Sequence, residues 1–304
     1  MVHNRTMTSS AIEDKIRARL PLVRFMQVYS PLPLSVMCRL LKKSTARAQL
    51  PPDITREHMT ADGVVCDWLI PANRTGDGVL LYLHGGGFVY PQTPNHLKMG
   101  SVLARLTGLA TLMVDYRVAP AHPFPAPMDD CVTAYRWLLK QGINANKIVI
   151  AGDSAGGNLT LSTLMTLRNN GEPLPAAAAC LSPSADLSGE NRANDGREDP
   201  LLHPKARKRY RDAFVGDNDP NNPLISPLKG DWHGLPPLLI HAGEDEVLRE
   251  DALRIEVLAR AAGVAVQLET YPRMWHVFQL YLELSQSQDS LSKIADFLCT
   301  HINK

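Results

Sequence analysis

Five consecutive residues, Gly152-Asp153-Ser154-Ala155-Gly156, have the types and order that nucleophilic attack by a serine requires. An apolar run over 147–151 leads into them and a helix-like stretch over 155–168 follows, which puts the serine on a strand-to-helix turn. The flanking glycines allow a tight bend without a Cβ clash and leave the hydroxyl exposed. The start of the next helix offers unpaired N–H groups to a developing anion. A turn serine without reactivity is the alternative for this stretch alone. A second stretch, His84-Gly85-Gly86-Gly87-Phe88, closes the apolar run Val79–Leu83. Three glycines in a row add no packing, so something must approach their backbone closely. Amides of Gly85, Gly86 and Gly87 pointed at the oxygen of a tetrahedral intermediate are what acyl transfer needs. The rival, a phosphate-cradling loop, lacks both the Gly-Lys-Ser/Thr ending and the G-x-G-x-x-G spacing of nucleotide sites.

Such a serine works with a base and an orienting carboxylate, in the chain order Ser, Asp/Glu, His. Among ten histidines, His276 follows the strand-like 264–270, where the base is expected. His301 lies four residues from the end, His233 precedes the acid region, and His241 falls inside a predicted buried strand. Past the strand-like 237–242 come Glu244, Asp245, Glu246, Glu250 and Asp251. Glu250 and Asp251 are expected to start a helix or face solvent, which leaves Asp245 and Glu246 in contest.

These residues need a scaffold. Short apolar runs at Val79–Leu83, Ala110–Val114, 147–151, 176–181 and 237–242 are each separated by enough chain for a crossover helix. That alternation predicts an α/β fold with a mostly parallel central sheet flanked by helices. Ala61-Asp62-Gly63 between two strand-like runs predicts a hairpin. Ile12, Ile16 and Leu20 form one helical stripe, and Leu34, Met37, Cys38 and Leu41 a second after a Pro-rich break. Residues 188–223, rich in Asn, Asp, Arg, Gly and Pro, read as part of a lid, or as an inert surface loop.

Composition narrows the classes. A net charge of +1 supplies no global field toward nucleic acid or an anionic membrane. The basic run 205–211 reads as a solvated helix face, with an anion patch as the alternative. No apolar run reaches the roughly 18 residues of a spanning helix, and no docking surface fit for long-chain lipids is identifiable. Five dispersed cysteines and a first segment without the apolar core of a secretory signal suggest a soluble, cytoplasmic protein.

The sequence resembles the hormone-sensitive-lipase-like (bacterial family IV) carboxylesterases. The shared stretches are 84–88, Asp115-Tyr116-Arg117-Val118-Ala119-Pro120 with His122-Pro123-Phe124-Pro125-Ala126, 152–157, Ser226-Pro227-Leu228, Gly234-Leu235-Pro236-Pro237 and the His276 loop. The resemblance implies a single α/β-hydrolase domain over 1–304 with a helical cap, here from about 1–50 and about 188–223. It implies hydrolysis of small acyl esters, and oxyanion donors on the glycines after His84 and on Ala155; the same serine chemistry extends to lactones and calls for no metal or cofactor. Homodimers are common among such proteins, although nothing in this sequence demonstrates one. Many members carry Asp-Pro-Leu where this chain has Asp245-Glu246-Val247-Leu248. The subset with Gly-x-x-Glu-Val-Leu uses the glutamate, which favours Glu246 over Asp245 as the acid. Relatives often place an aromatic residue where this chain has Ser184. An amidase or acyltransferase on the same triad, and a ligand-binding receptor of the same fold, are the competing readings; receptors of this kind tend to lose a triad member.

Overall fold

The protein is described from a computed structural model covering residues 9–189 and 199–302. Eight strands form one sheet: β1 (Ile54–Ala61), β2 (Val64–Pro71), β3 (Val79–Leu83), β4 (Ala110–Val114), β5 (Ile148–Asp153), β6 (Ala177–Leu181), β7 (Leu238–Gly243) and β8 (Val266–Tyr271). Their spatial order is β1-β2-β4-β3-β5-β6-β7-β8. From β4 to β8 all neighbours are parallel, while β2 pairs antiparallel with β1 and β4. The predicted hairpin joins β1 to β2 through Asp62 (φ 49°) and Gly63 (φ 92°), the paired positive φ values of a type I′ turn.

Helices α4 (Pro94–Thr107), α5 (Ala126–Lys140), α6 (Ala155–Asn169) and α8 (Arg249–Ala261) cross between parallel strands, and α9 (Ser285–Ile302) follows β8. Strand side chains alternate between two cores. Leu81, Leu83, Ile148 and Ile150 meet α5, α6 and α8; Leu80, Tyr82, Val149 and Ala151 meet α4 and α9. Burial on both faces is why these strands read as unbroken apolar runs.

The opening stripe is two helices, α1 (Ser9–Arg17) and α2 (Leu20–Tyr29). Pro21 in the first turn of α2 has no N–H to continue the ladder, so the chain turns at Ala18 and Arg19. The partner of the stripe is the segment after β8: Ile16 and Leu20 pack with Tyr271, Met274, Trp275 and Phe278. Helices α3 (Leu34–Ala46) and α7 (Pro204–Val215) match the second stripe and the basic run. Of the two stretches expected to form a cap, residues 1–8 and 190–198 lie outside the described residues. No helix among the described residues is long and apolar enough to cross a membrane.

Candidate active site

Ser154 stands between the end of β5 and the start of α6 with φ 53° and ψ −114°, a backbone region that costs a residue with a Cβ about 1–3 kcal/mol. Its amide donates to the Leu181 carbonyl on β6 at 2.8 Å, which pins the turn to the neighbouring strand. The glycines of the pentapeptide answer to close backbone approach. A Cβ on Gly156 would run into the Leu83 carbonyl, and one on Gly152 into the carbonyl of Gly156.

The Ser154 hydroxyl lies 2.8 Å from His276 Nε2, and His276 Nδ1 lies 2.9 Å from Glu246 Oε2. With Glu246 as acceptor, Nδ1 carries the proton and Nε2 is free to receive the one from serine. The other carboxylate oxygen of Glu246 accepts the Gly243 amide at 3.2 Å. Both side chains are buried. Burial disfavours a charged imidazole, yet the Glu246 hydrogen bond and charge carry the His276 pKa above its ordinary value. Burial pushes the Glu246 carboxyl upward, and the bond to His276 pulls it back in part.

The neighbouring carboxylates Asp245 and Glu246 differ in their contacts. Asp245 points away from His276 and pairs with Arg17 of α1, so it ties the N-terminal helix to the acid loop. Amides of Glu244 and Asp245 bond the carbonyls of Tyr271 and Met274, which runs this loop beside the segment carrying His276. Asp251, expected to start a helix or face solvent, lies in the first turn of α8 but is buried, where it accepts the amides of Ala185 and Asp186. His241 is a core histidine bonded to Ser290 Oγ at 2.8 Å, and burial holds its pKa down at about 3.

The triple glycine divides into two parts. The Gly85 amide is already committed to Asp153 Oδ1 at 3.0 Å, which corrects its expected place among the oxyanion donors. Asp153 also accepts the Tyr82 hydroxyl at 2.8 Å, so this buried carboxylate clamps the glycine loop to the turn before Ser154. Gly86 (φ 117°) and Gly87 (φ 61°) need backbone conformations that favour glycine, and a Cβ on either would press on Tyr90 or Tyr210. Their amides and that of Ala155 have no protein acceptor among the described residues. His84 anchors the loop: Nδ1 meets the Gly85 carbonyl at 2.6 Å and its ring stacks on Tyr116 with centroids 4.2 Å apart. Burial lowers its pKa to about 3, which keeps it neutral.

Two further residues brace the site. Asp199 accepts the amides of Leu201, Leu202 and Val247, the last at 2.9 Å, and its charge helps to raise the His276 pKa. Ser182 Oγ accepts the Val277 amide at 3.2 Å. Neither has a signal in sequence, because each acts on backbone distant in the chain. Ser154 and His276 open onto a cavity of about 630 Å³ whose walls include Val23 and Met26 of α2, Met37 and Leu41 of α3, Tyr210 of α7, and Ser184. Trp275 and Phe278 are fully buried core aromatics rather than cavity walls.

The model of the α/β hydrolase fold family matches residues 80–280. An acetyl-hydrolase of Streptomyces hygroscopicus is 42% identical over 75% of this chain and 75% of its own length. A carboxylesterase/phospholipase of Mycobacterium tuberculosis is 33% identical over 91% of this chain and 77% of its own. The crystal structure of an esterase from the bacterial hormone-sensitive lipase family superimposes with TM-score 0.88 at 37% identity, covering 97% of this chain and 100% of that one. A hormone-sensitive lipase from a metagenome library gives 0.84 at 36%, covering 94% and 98%. This chain belongs to the α/β-hydrolase family, among its hormone-sensitive-lipase-like enzymes, and is a carboxylic ester hydrolase.

Proposed function

We propose that Ser154, His276 and Glu246 are the catalytic triad of an esterase for short- to medium-chain acyl esters, simple lactones included. The single observation that carries this reading is the unbroken relay from Ser154 Oγ to His276 Nε2 and from Nδ1 to Glu246. Ser154 attacks the ester carbonyl while His276 takes its proton. Amides of Gly86, Gly87 and Ala155 receive the negative charge on the carbonyl oxygen. His276 then gives the proton to the leaving alcohol, the C–O bond breaks, and an acyl-enzyme remains. Water, deprotonated by the same histidine, attacks that acyl group and restores the serine. Glu246 stays ionised throughout and stabilises the imidazolium.

Helices α2, α3 and α7 act as the cap of a single catalytic domain, with the apolar cavity beneath them holding the acyl or alcohol part. Ser184 leaves room in that cavity where relatives often place an aromatic ring. The dispersed thiols, three of them buried, fit a cytoplasmic enzyme.

Hydrolysis of p-nitrophenyl esters from acetate to palmitate, with Ser154→Ala as control, tests the reading. Serine-dependent turnover peaking at short to medium chains is expected. Turnover that survives in the alanine protein would overturn the nucleophile, and a peak at palmitate would overturn the substrate class.

A further inference from the structure

The even charge balance of the whole chain conceals a segregated surface. Residues 15–52 contain eight basic residues (Lys15, Arg17, Arg19, Arg24, Arg39, Lys42, Lys43 and Arg47) and no Asp or Glu. The same stretch holds seven of the ten exposed large hydrophobic side chains among the described residues. Four of these, Leu22 (66% exposed), Phe25 (52%), Met26 (42%) and Tyr29 (51%), recur at the spacing that aligns them along one face of α2. Leu32 and Leu40 are exposed on the same segment, as are Arg19, Arg39, Lys43 and Arg47.

We infer that α2 and α3 dock the enzyme on an anionic phospholipid surface, with the apolar face of α2 in the headgroup region and the cations against lipid phosphates. An exposed apolar helical face beside exposed cations such as Arg19, Arg39, Lys43 and Arg47 is the pattern of an interfacial helix. Charge complementarity selects this occupant. A second copy meeting the patch symmetrically would set the exposed Arg19, Arg39, Lys43 and Arg47 against their own counterparts. Continuity with the cavity supports the same assignment, because Val23 and Met26 of α2 are both exposed and part of the cavity wall. An ester dissolved in the bilayer therefore has an apolar route toward Ser154. Docking stands on the surface alone; delivery of a membrane-dissolved ester rests on the triad reading.

The test is flotation of the full chain with vesicles of phosphatidylglycerol and phosphatidylcholine, and with phosphatidylcholine alone, at low and high salt. Binding to the anionic vesicles that falls with salt is expected. Arg39→Gln/Lys43→Gln should weaken it by about thirtyfold, the effect of two cations near such a surface. Leu22→Ser/Phe25→Ser should also release the protein; both positions are exposed and outside the cavity wall, so folding is not at stake. Equal affinity for both vesicle types, no binding, or binding untouched by either double variant would overturn docking. So would a dimer abolished by Leu22→Ser/Phe25→Ser in a protein that ignores vesicles. Turnover of soluble p-nitrophenyl butyrate by the same preparations reads the triad separately: its absence would sink the esterase site and leave the vesicle result to judge the surface.

Discussion

The carboxyl edge of the sheet and the helices over the cavity are built on opposite terms. Strands β3, β5, β6 and β7 are buried at every residue, and the turns they lead into place Gly86, Ser154, Ser182 and Glu246. Helix α2 buries Leu20 alone and leaves Leu22, Phe25, Met26 and Tyr29 exposed. Chemistry that depends on contacts of 2.8 and 2.9 Å needs supports that cannot drift, and close-packed strands supply them. A wall that admits and releases substrate needs less burial, since elements that open are drawn from the less stable parts of a fold. Changes at the sheet edge should therefore abolish chemistry, while changes among the helices should leave it intact.

The largest break is expected at Ser154, where Ser154→Ala should lower kcat by about 10⁵-fold or more without unfolding the protein. Glu246→Gln should follow at about 10⁴-fold, as the imidazole loses its orientation and its counter-charge. This variant also has a pH signature. Protonated His276 cannot take the serine proton, so kcat/KM falls as pH drops through the His276 pKa. Burial opposes the imidazolium and Glu246 overcomes it, which places the wild-type limb above that of an ordinary histidine. Removing the Glu246 charge leaves burial in command, and the limb should move to lower pH. A limb that stays in place would show that Glu246 does not hold the charged form.

Gly86→Ala is expected to reduce kcat by about 10²- to 10³-fold through a distorted oxyanion site. Its φ of 117° and the Tyr90 carbonyl 3.0 Å from the added methyl leave that side chain no relaxed position. Activity within a few-fold of wild type would show that the glycine amides are not donors. The smallest effect should come from Asp245→Asn, one residue from the acid. It loses a half-exposed pair with Arg17, worth about 1 kcal/mol or less in thermal or urea unfolding, and kcat should stay within about threefold. A larger loss than in Glu246→Gln would reverse the two carboxylates.

Much of this architecture is legible in the chain. Strand runs, the hairpin at Asp62-Gly63, the serine turn and the His276 loop follow from local rules of burial, turn geometry and motif spacing. Each depends on residues close in sequence. The kind of acid at the histidine was narrowed to neighbouring carboxylates and decided only in space. Glu246 faces inward because loop amides at Glu244 and Asp245 are tied to the carbonyls of Tyr271 and Met274 beside it, and no local propensity encodes that pairing. The fate of Gly85 likewise depends on a bond to Asp153 across the sheet edge.

The sequence by itself singled out Ser154, His276, the parallel sheet and the triple glycine, because short-range chemistry and periodicity mark them. Only the tertiary structure decided that Glu246 rather than Asp245 meets His276, that the Gly85 amide meets Asp153, that Asp199 and Ser182 hold the backbone at Val247 and Val277, and that the apolar stripe of α2 looks outward. Those outcomes depend on which distant backbone groups and side chains meet after packing, and composition summed over 304 residues averages their contrasts away.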